Sequence, residues 1–215
     1  MTRVLVLYGT TDGHTRLIAE AIGDGLSLNG VDADIAVAGS RDPNPVQYDG
    51  VIVAASIHAG RYQRPVEHWV RAHAGELAAR PSAFVSSCLT VARKPSARTM
   101  EDLDAVVQRF SKTTGWRPTV IKHVAGALLY RHYNFFKRWM MKRIVAQQGG
   151  DTDTTKDYDY TNWSDLRAFA QEFRRRLLAT ASTLNRDPYP DDPVAHLPSA
   201  RAFQRSNVIS KGLES

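Results

Sequence analysis

The sequence predicts an α/β domain on a doubly wound, five-stranded parallel sheet. Short apolar runs alternate with helical patterns along the chain. The central runs are apolar throughout, the mark of strands covered on both faces. The first of them passes through a Gly- and Thr-rich turn straight into a helix. Arg3–Tyr8 (RVLVLY) is the first strand, bounded by Gly9. Thr15–Leu28 carries Leu17, Ile18, Ala21, Ile22 and Leu26 at helical spacing and is closed by Asn29 and Gly30. Val31, Ala33, Ile35 and Val37 alternate as a second strand, and Gly50–Ala55 (GVIVAA) is the third. Pro65 suits the first turn of a helix carrying Val66, Trp69, Val70, His73 and Leu77. Ala83–Cys88 is the fourth strand, Thr99–Thr114 a helix, and Thr119–Leu129 holds the fifth strand. Residues 131–157 interrupt the plan as a helical insertion in the last strand region. Asp157–Thr161 then reads as a short returning strand, and Trp163–Ala181 as the last helix, capped by Thr161 or Asn162. Residues 1–186 are therefore expected to form one domain. Residues 187–215, with Pro188, Pro190, Pro193 and Pro198 and few large apolar side chains, read as an extended or disordered tail.

Composition narrows the function. The chain has 215 residues, enough to bury a core without covalent staples. Cys88 is the single cysteine, so no internal disulfide forms and a reducing compartment is expected. The start, MTRVLVLY, lacks a signal-peptide pattern, and no run of about 18 apolar residues marks a membrane span. The net charge of +6 points to an anionic partner.

Right-handed crossovers place the loops after the strands at one edge of the sheet, where ligands bind at the topological switch point. This nominates Gly9–Thr15, Ser56–Gln63, Ser87–Arg93 and Gly126–Arg131. In the first, backbone N–H groups at a helix start can hold a phosphate, helped by the Thr10, Thr11 and Thr15 hydroxyls. Gly13 allows close approach, and Asp12 and His14 complete the loop. It is neither a Walker loop nor a G-x-G-x-x-G dinucleotide loop. No lysine or arginine lies within it, so backbone and hydroxyl groups must do the binding, which suits a monophosphate.

A series of motifs resembles one family. T-x-D-G-x-T at Thr10–Thr15, A-S-I-x-x-G-x-Y at Ala55–Tyr62 and L-x-V-A-R-K-P at Leu89–Pro95 come first. W-R-P at Trp116–Pro118, A-G-A-L-x-Y at Ala125–Tyr130, G-G-x-T-D-T at Gly149–Thr154 and Y-T-x-W at Tyr160–Trp163 follow in order. Together they resemble the flavodoxin-type protoporphyrinogen dehydrogenases, over about residues 3 to 180. The resemblance implies a flavodoxin-like fold holding FMN. It implies oxidation of protoporphyrinogen IX to protoporphyrin IX in haem biosynthesis, with electrons passed to a membrane quinone. It implies a cytoplasmic protein, peripheral on the cytoplasmic face of the inner membrane, and leaves room for a homo-oligomer. It assigns Thr10, Thr11, Asp12, Gly13, His14 and Thr15 to the FMN phosphate. Around the ribityl chain and ring it places Ser56, Ile57, Gly60 and Tyr62; Ser87, Cys88, Leu89, Thr90, Val91 and Ala92; and Gly126, Ala127, Leu128 and Tyr130. Tyr62 and Tyr130 are the aromatic candidates near the ring, with ordinary packing the alternative. Cys88 reads best as a small buried hydrophobe. His14 either meets the phosphate or faces solvent.

Flavin chemistry needs no triad: the ring accepts hydride and the protein supplies orientation and electrostatics. No Gly-x-Ser-x-Gly, metal-ligand cluster or carboxylate pair stands out, and no general base is evident. In Arg131–Val145, Tyr133, Phe135, Phe136, Trp139, Met140 and Ile144 share about half a helical wheel, with Arg131, Arg138 and Lys142 opposite and Lys137 nearby. Such a helix can lie in a membrane interface or hold a propionate-bearing tetrapyrrole through Arg131, Phe135, Arg138, Trp139 and Lys142. It can also simply pack on its own domain. The competing functions are a flavodoxin-like electron carrier, against which the basic balance argues, and an NAD(P)H-dependent quinone reductase, for which no second phosphate motif is seen. No nucleic-acid partner is expected, because the basic residues lie on an apolar-faced helix and not in a recognisable module.

Overall fold

The computed structural model describes residues 1–40, 43–92, 96–147 and 149–184. Arg93, Lys94 and Pro95 of the fourth-strand motif, the expected boundary near residue 186 and the tail at 187–215 lie outside them.

The strands are β1 (Arg3–Gly9), β2 (Asp32–Val37), β3 (Gly50–Ser56), β4 (Ser82–Cys88) and β5 (Val120–Ala125). They form one parallel sheet in the order β2-β1-β3-β4-β5. The chain crosses from β2 back over β1 to β3, so the switch point lies between the carboxyl ends of β1 and β3. Alternation within the strands builds two cores. Val4, Val6, Ile52 and Val85 face α1 (His14–Ser27) and α6 (Trp163–Leu184). Leu5, Leu7, Val53 and Phe84 face the other layer, α2 (Arg64–Ala72), α3 (Ala74–Ala78) and α4 (Ala97–Thr114). The single helix expected after Pro65 is two, broken at His73, whose φ of −118° leaves the helical range.

The fifth strand ends earlier than the apolar run suggests. Gly126 separates β5 from β6 (Ala127–Leu128), which pairs antiparallel with β7 (Tyr158–Asp159), the returning strand. Between them lies α5 (Phe135–Gln147). This insertion has its own small core of Leu128, Tyr130, Tyr133 and Val145. Asn162 caps α6, its side-chain oxygen accepting from Asp165 N–H at 3.1 Å. Thr161, the other candidate, is engaged elsewhere.

α1 packs directly on α6 because Gly25 has no side chain: a Cβ there would sit 3.0 Å from Ala170 Cβ. Gly25→Leu should therefore destabilise the fold by about 1–3 kcal/mol through overpacking. Gly75, in α3 with open space around it, gives the contrast. Gly75→Ala should stabilise by about 0.4–1 kcal/mol. Urea unfolding of the two variants measures both, and equal effects would contradict the packing assigned to Gly25.

Candidate functional site

A cleft opens at the switch point. Its walls come from five segments: the β1–α1 loop, the turn after β3, the segment after β4, the β5–β6 junction and the inner face of α5.

The β1–α1 loop is organised by its own groups. Gly13 stands at the amino terminus of α1 with φ +90°, and its N–H donates to Thr10 Oγ1 at 2.9 Å. A Cβ on Gly13 would meet no protein atom within 4 Å, so the glycine is needed for its left-handed backbone rather than for protein clearance. No side chain caps α1, whereas Ser96 caps α4. The first turn of α1 therefore presents N–H groups and the positive helix end to the cleft, beside the Thr10 and Thr15 side chains. Gly9 is also required: a Cβ would fall inside contact distance of Val66.

His14 is neither exposed nor a free donor. Only 8% of it is accessible. Thr161 Oγ1 donates its proton to Ala125 O at 2.9 Å. The 2.7 Å contact between His14 Nε2 and Thr161 Oγ1 is therefore a bond donated by the imidazole. This chain of bonds ties the start of α1, the end of β5 and the approach to α6 together. Burial lowers the His14 pKa below its usual value, with Asp159 opposing from 3.5 Å.

The turn after β3 is tight. His58 and Arg61 exchange backbone hydrogen bonds, and both central residues are left-handed, Ala59 at φ 49° and Gly60 at φ 73°. Ile57 N–H donates to Ser87 O, and Gly126 N–H to Cys88 O, which locks the neighbouring segments in register. The Cys88 Sγ lies 2.6 Å from Thr90 Oγ1 and is only partly buried. The Gln63 side chain, which the sequence marks only as the end of a nominated segment, clamps two segments: Nε2 donates to Ser56 Oγ at 2.7 Å and Thr11 Oγ1 at 3.1 Å.

Of the residues the sequence nominated, Thr10, Asp12, His14, Thr15, Ser56, Ile57, Ser87, Cys88, Leu89, Thr90, Gly126 and Ala127 line the cleft. Thr11 turns to Gln63, and Gly13 and Gly60 serve the backbone. Val91 and Ala92 close a short 3-10 turn and do not line the wall. Leu128 is buried in the insertion's core. Neither tyrosine flanks the cleft. Tyr62 is buried on the opposite layer, bonded to Ser86 Oγ at 2.8 Å and edge-on to Phe84 and Phe110. Tyr130 is fully buried, its hydroxyl donating to Asp151 O.

The insertion corrects the helical-wheel reading. Its cleft-facing stripe is Tyr133, Lys137, Met141 and Val145, spaced by four residues, with Ile144 beside it. Phe135, Phe136 and Trp139 point to solvent, with 85%, 69% and 51% of their surface exposed. Arg138, expected as a free surface cation, donates to Tyr130 O and Tyr133 O and fastens the turn before α5. Arg131 and Lys142 are exposed. Lys137 reaches the β1–α1 loop, forming an ion pair with Asp12 and lying 4.4 Å from the Tyr133 ring centre. Burial, with Asp12 nearby, pushes the Tyr133 hydroxyl up to about 12, so it stays protonated at neutral pH.

Sheet order, switch-point cleft and uncapped α1 define a flavodoxin-type domain, and the family model described as "Flavodoxin domain" matches residues 5–155. The solved "Streptococcus pneumonia TIGR4 flavodoxin" shares the fold at TM-score 0.50 and 15% identity, covering 81% of this chain and 99% of that one. Among curated relatives, a protein of Escherichia coli K12 named "Protoporphyrinogen IX dehydrogenase [quinone]" is 39% identical over 171 residues, 79% of this chain and 93% of its own length. A Leishmania major protein of the same name is 37% identical over 180 residues, 82% of this chain and 77% of its own length. The chain belongs to the flavodoxin-domain family and, within it, to the branch formed by these dehydrogenases. Membership implies a flavin cofactor, and the hydroxyl and N–H donors at the α1 start fit a flavin phosphate.

The state of His14 gives a pH prediction. The unfolded chain binds a proton at this residue near pH 6.5, and the folded chain binds it only at lower pH. The unfolded form therefore holds more protons below that value, and stability falls as pH drops from about 6.5 toward the lowered folded pKa. Comparing urea midpoints of the parent and His14→Gln between pH 7.5 and 5 checks this. The variant should lose part of the acid dependence, and an identical slope in both would refute the assignment.

Proposed function

We propose that this chain oxidises protoporphyrinogen IX to protoporphyrin IX in haem biosynthesis, with FMN in the cleft and a membrane quinone as acceptor. The observation that carries the reading is the identity of 39% and 37% to two relatives bearing that name, across most of this chain. FMN is favoured over FAD because the cleft offers one group of phosphate donors, at the β1–α1 loop. Thr10, Thr15 and the first N–H groups of α1 would hold its phosphate, and Ser56–Ile57, Ser87–Thr90 and Gly126–Ala127 would border the rest. When bound, the flavin supplies hydride acceptance and onward electron transfer. The protein's part is positional. Met141, Ile144 and Val145 close the side of the cleft toward the insertion with apolar surface and limit water entry. Tyr133, protonated at neutral pH, can donate a hydrogen bond but not take up a substrate proton.

The exposed edge of α5 is the part we assign to the lipophilic partners. Phe135, Phe136, Trp139 and Met140 stand in solvent, Arg143 lies over the Trp139 ring, and Arg131 and Lys142 of the same insertion are exposed. Aromatic rings with flanking cations suit the interface of an anionic membrane, on the cytoplasmic face of the inner membrane in this reading. No helix among the described residues is long and apolar enough to cross a membrane.

Anaerobic mixing with protoporphyrinogen IX should bleach the bound flavin in a single mixing step, and acid should release FMN. Bleaching by NADPH but not by the porphyrinogen would favour the NAD(P)H-dependent quinone reductase. Release of FAD alone would exclude FMN. Separately, Phe135→Ala with Trp139→Ala should weaken binding to anionic vesicles by at least about tenfold through lost apolar burial. Flavin content should stay normal, because neither ring lines the cleft. Unchanged vesicle binding would remove α5 from the membrane contact.

A further inference from the structure

The phosphate loop carries a negative charge where an anion would have to bind. Asp12 lies in the loop and lines the cleft, and the loop itself holds no lysine or arginine. Among the described residues lining the cleft, the one lysine or arginine is Lys137, which comes from α5, 125 residues further along the chain. Its ammonium pairs with the Asp12 carboxylate, and both side chains are partly buried, 31% and 21% exposed. The other titratable side chains lining this part of the cleft are His14, His58 and Tyr133. His14 is held by Thr161, burial and the nearby Lys137 lower the His58 pKa against the pull of Asp12, and Tyr133 keeps its proton at neutral pH. None of the three supplies a positive charge at neutral pH.

We propose that Lys137 is the cationic member of the flavin phosphate site, contributed by the insertion to a loop that lacks one. It offsets Asp12 and adds a donor for the phosphate, so the insertion takes part in holding the cofactor. The inference rests on the reading of the β1–α1 loop as the flavin phosphate site. Its physical basis is that a dianion beside an unpaired carboxylate in a partly desolvated cleft is strongly disfavoured, and a single ammonium shared between them relieves the repulsion. Lys137 belongs to the cleft-lining stripe with Tyr133, Met141 and Val145.

The test compares FMN with riboflavin, which lacks the phosphate. The full-length protein, stripped of flavin, is titrated with each and followed by flavin fluorescence. Lys137→Met should weaken FMN by at least about tenfold, the scale of one charge-assisted hydrogen bond, and riboflavin by less than about threefold. Asp12→Asn should strengthen FMN and leave riboflavin unchanged. Joined with Lys137→Met it should recover most of the lost FMN affinity, since the carboxylate that needed offsetting is gone. Equal loss of both ligands in Lys137→Met would make the lysine a packing residue, and no loss of either would remove it from the site; each overturns the proposal. Gly13→Val, which forces a valine into φ +90°, tests the loop itself. If it abolishes the preference for FMN while Lys137→Met does not, the loop reading stands and the Lys137 inference fails. If Gly13→Val keeps that preference, the phosphate lies elsewhere and the reading beneath the inference fails.

Discussion

The first turn of α1 ends without a side-chain cap, and the functional architecture is arranged around that exposed helix end. A helix start needs partners for its N–H groups, and a buried start without them would be costly. Here Gly13 N–H bonds Thr10 Oγ1 and Arg16 N–H bonds Gly13 O, while His14 and Thr15, the first two residues of the helix, line the cleft. The sheet order puts the cleft in place, because the chain leaves β1 and β3 toward opposite faces of the sheet, to α1 on one layer and α2 on the other. The His14–Thr161–Ala125 hydrogen bonds then hold α1 in position against β5 and the start of α6. An anion ligand completes a site that the protein alone leaves short of acceptors.

The insertion gives the flavodoxin plan a second wall. Its attachment is polar and specific: Arg138 binds two carbonyls, Tyr130 and Tyr160 both bond Asp151, and Arg131 N–H donates to Asp157. Those bonds fix the rotation of α5 about its axis. The rotation in turn decides which apolar residues reach the cleft and which are left in water. Met141 and Val145 go inward while Phe135 and Phe136 go outward, and the cost of exposing two phenylalanines is offset only if something apolar covers them. One short helix thus borders the cleft on one side and offers an aromatic edge on the other.

The strands were legible from their unbroken apolar runs, and the β1–α1 loop from its glycine and threonines between strand and helix. The cleft segments followed from topology alone, because a parallel sheet places its loops at one edge. What stayed hidden depended on tertiary contacts. Tyr62 and Tyr130 sit at the right places in the chain to face a ring, yet their side chains turn into cores that no local pattern specifies. On α5 the large aromatic side chains share half the wheel and Met141 and Val145 fall outside it, so periodicity marked the outward face and missed the inward stripe. Arg138 and Lys137 look alike in the sequence: one fastens carbonyls and the other crosses to Asp12. The Gln63 clamp gave no signal, since it joins loops that meet only in the folded sheet.

The central claim is that one flavin is enclosed between the α1 start and the inner face of α5. Hydrogen–deuterium exchange of the full-length protein with and without FMN tests it most directly. The account predicts slower exchange on binding in two separated segments, 10–16 and 133–145, with the sheet interior unchanged. Protection confined to 10–16, with the insertion exchanging at the same rate in both states, would contradict it.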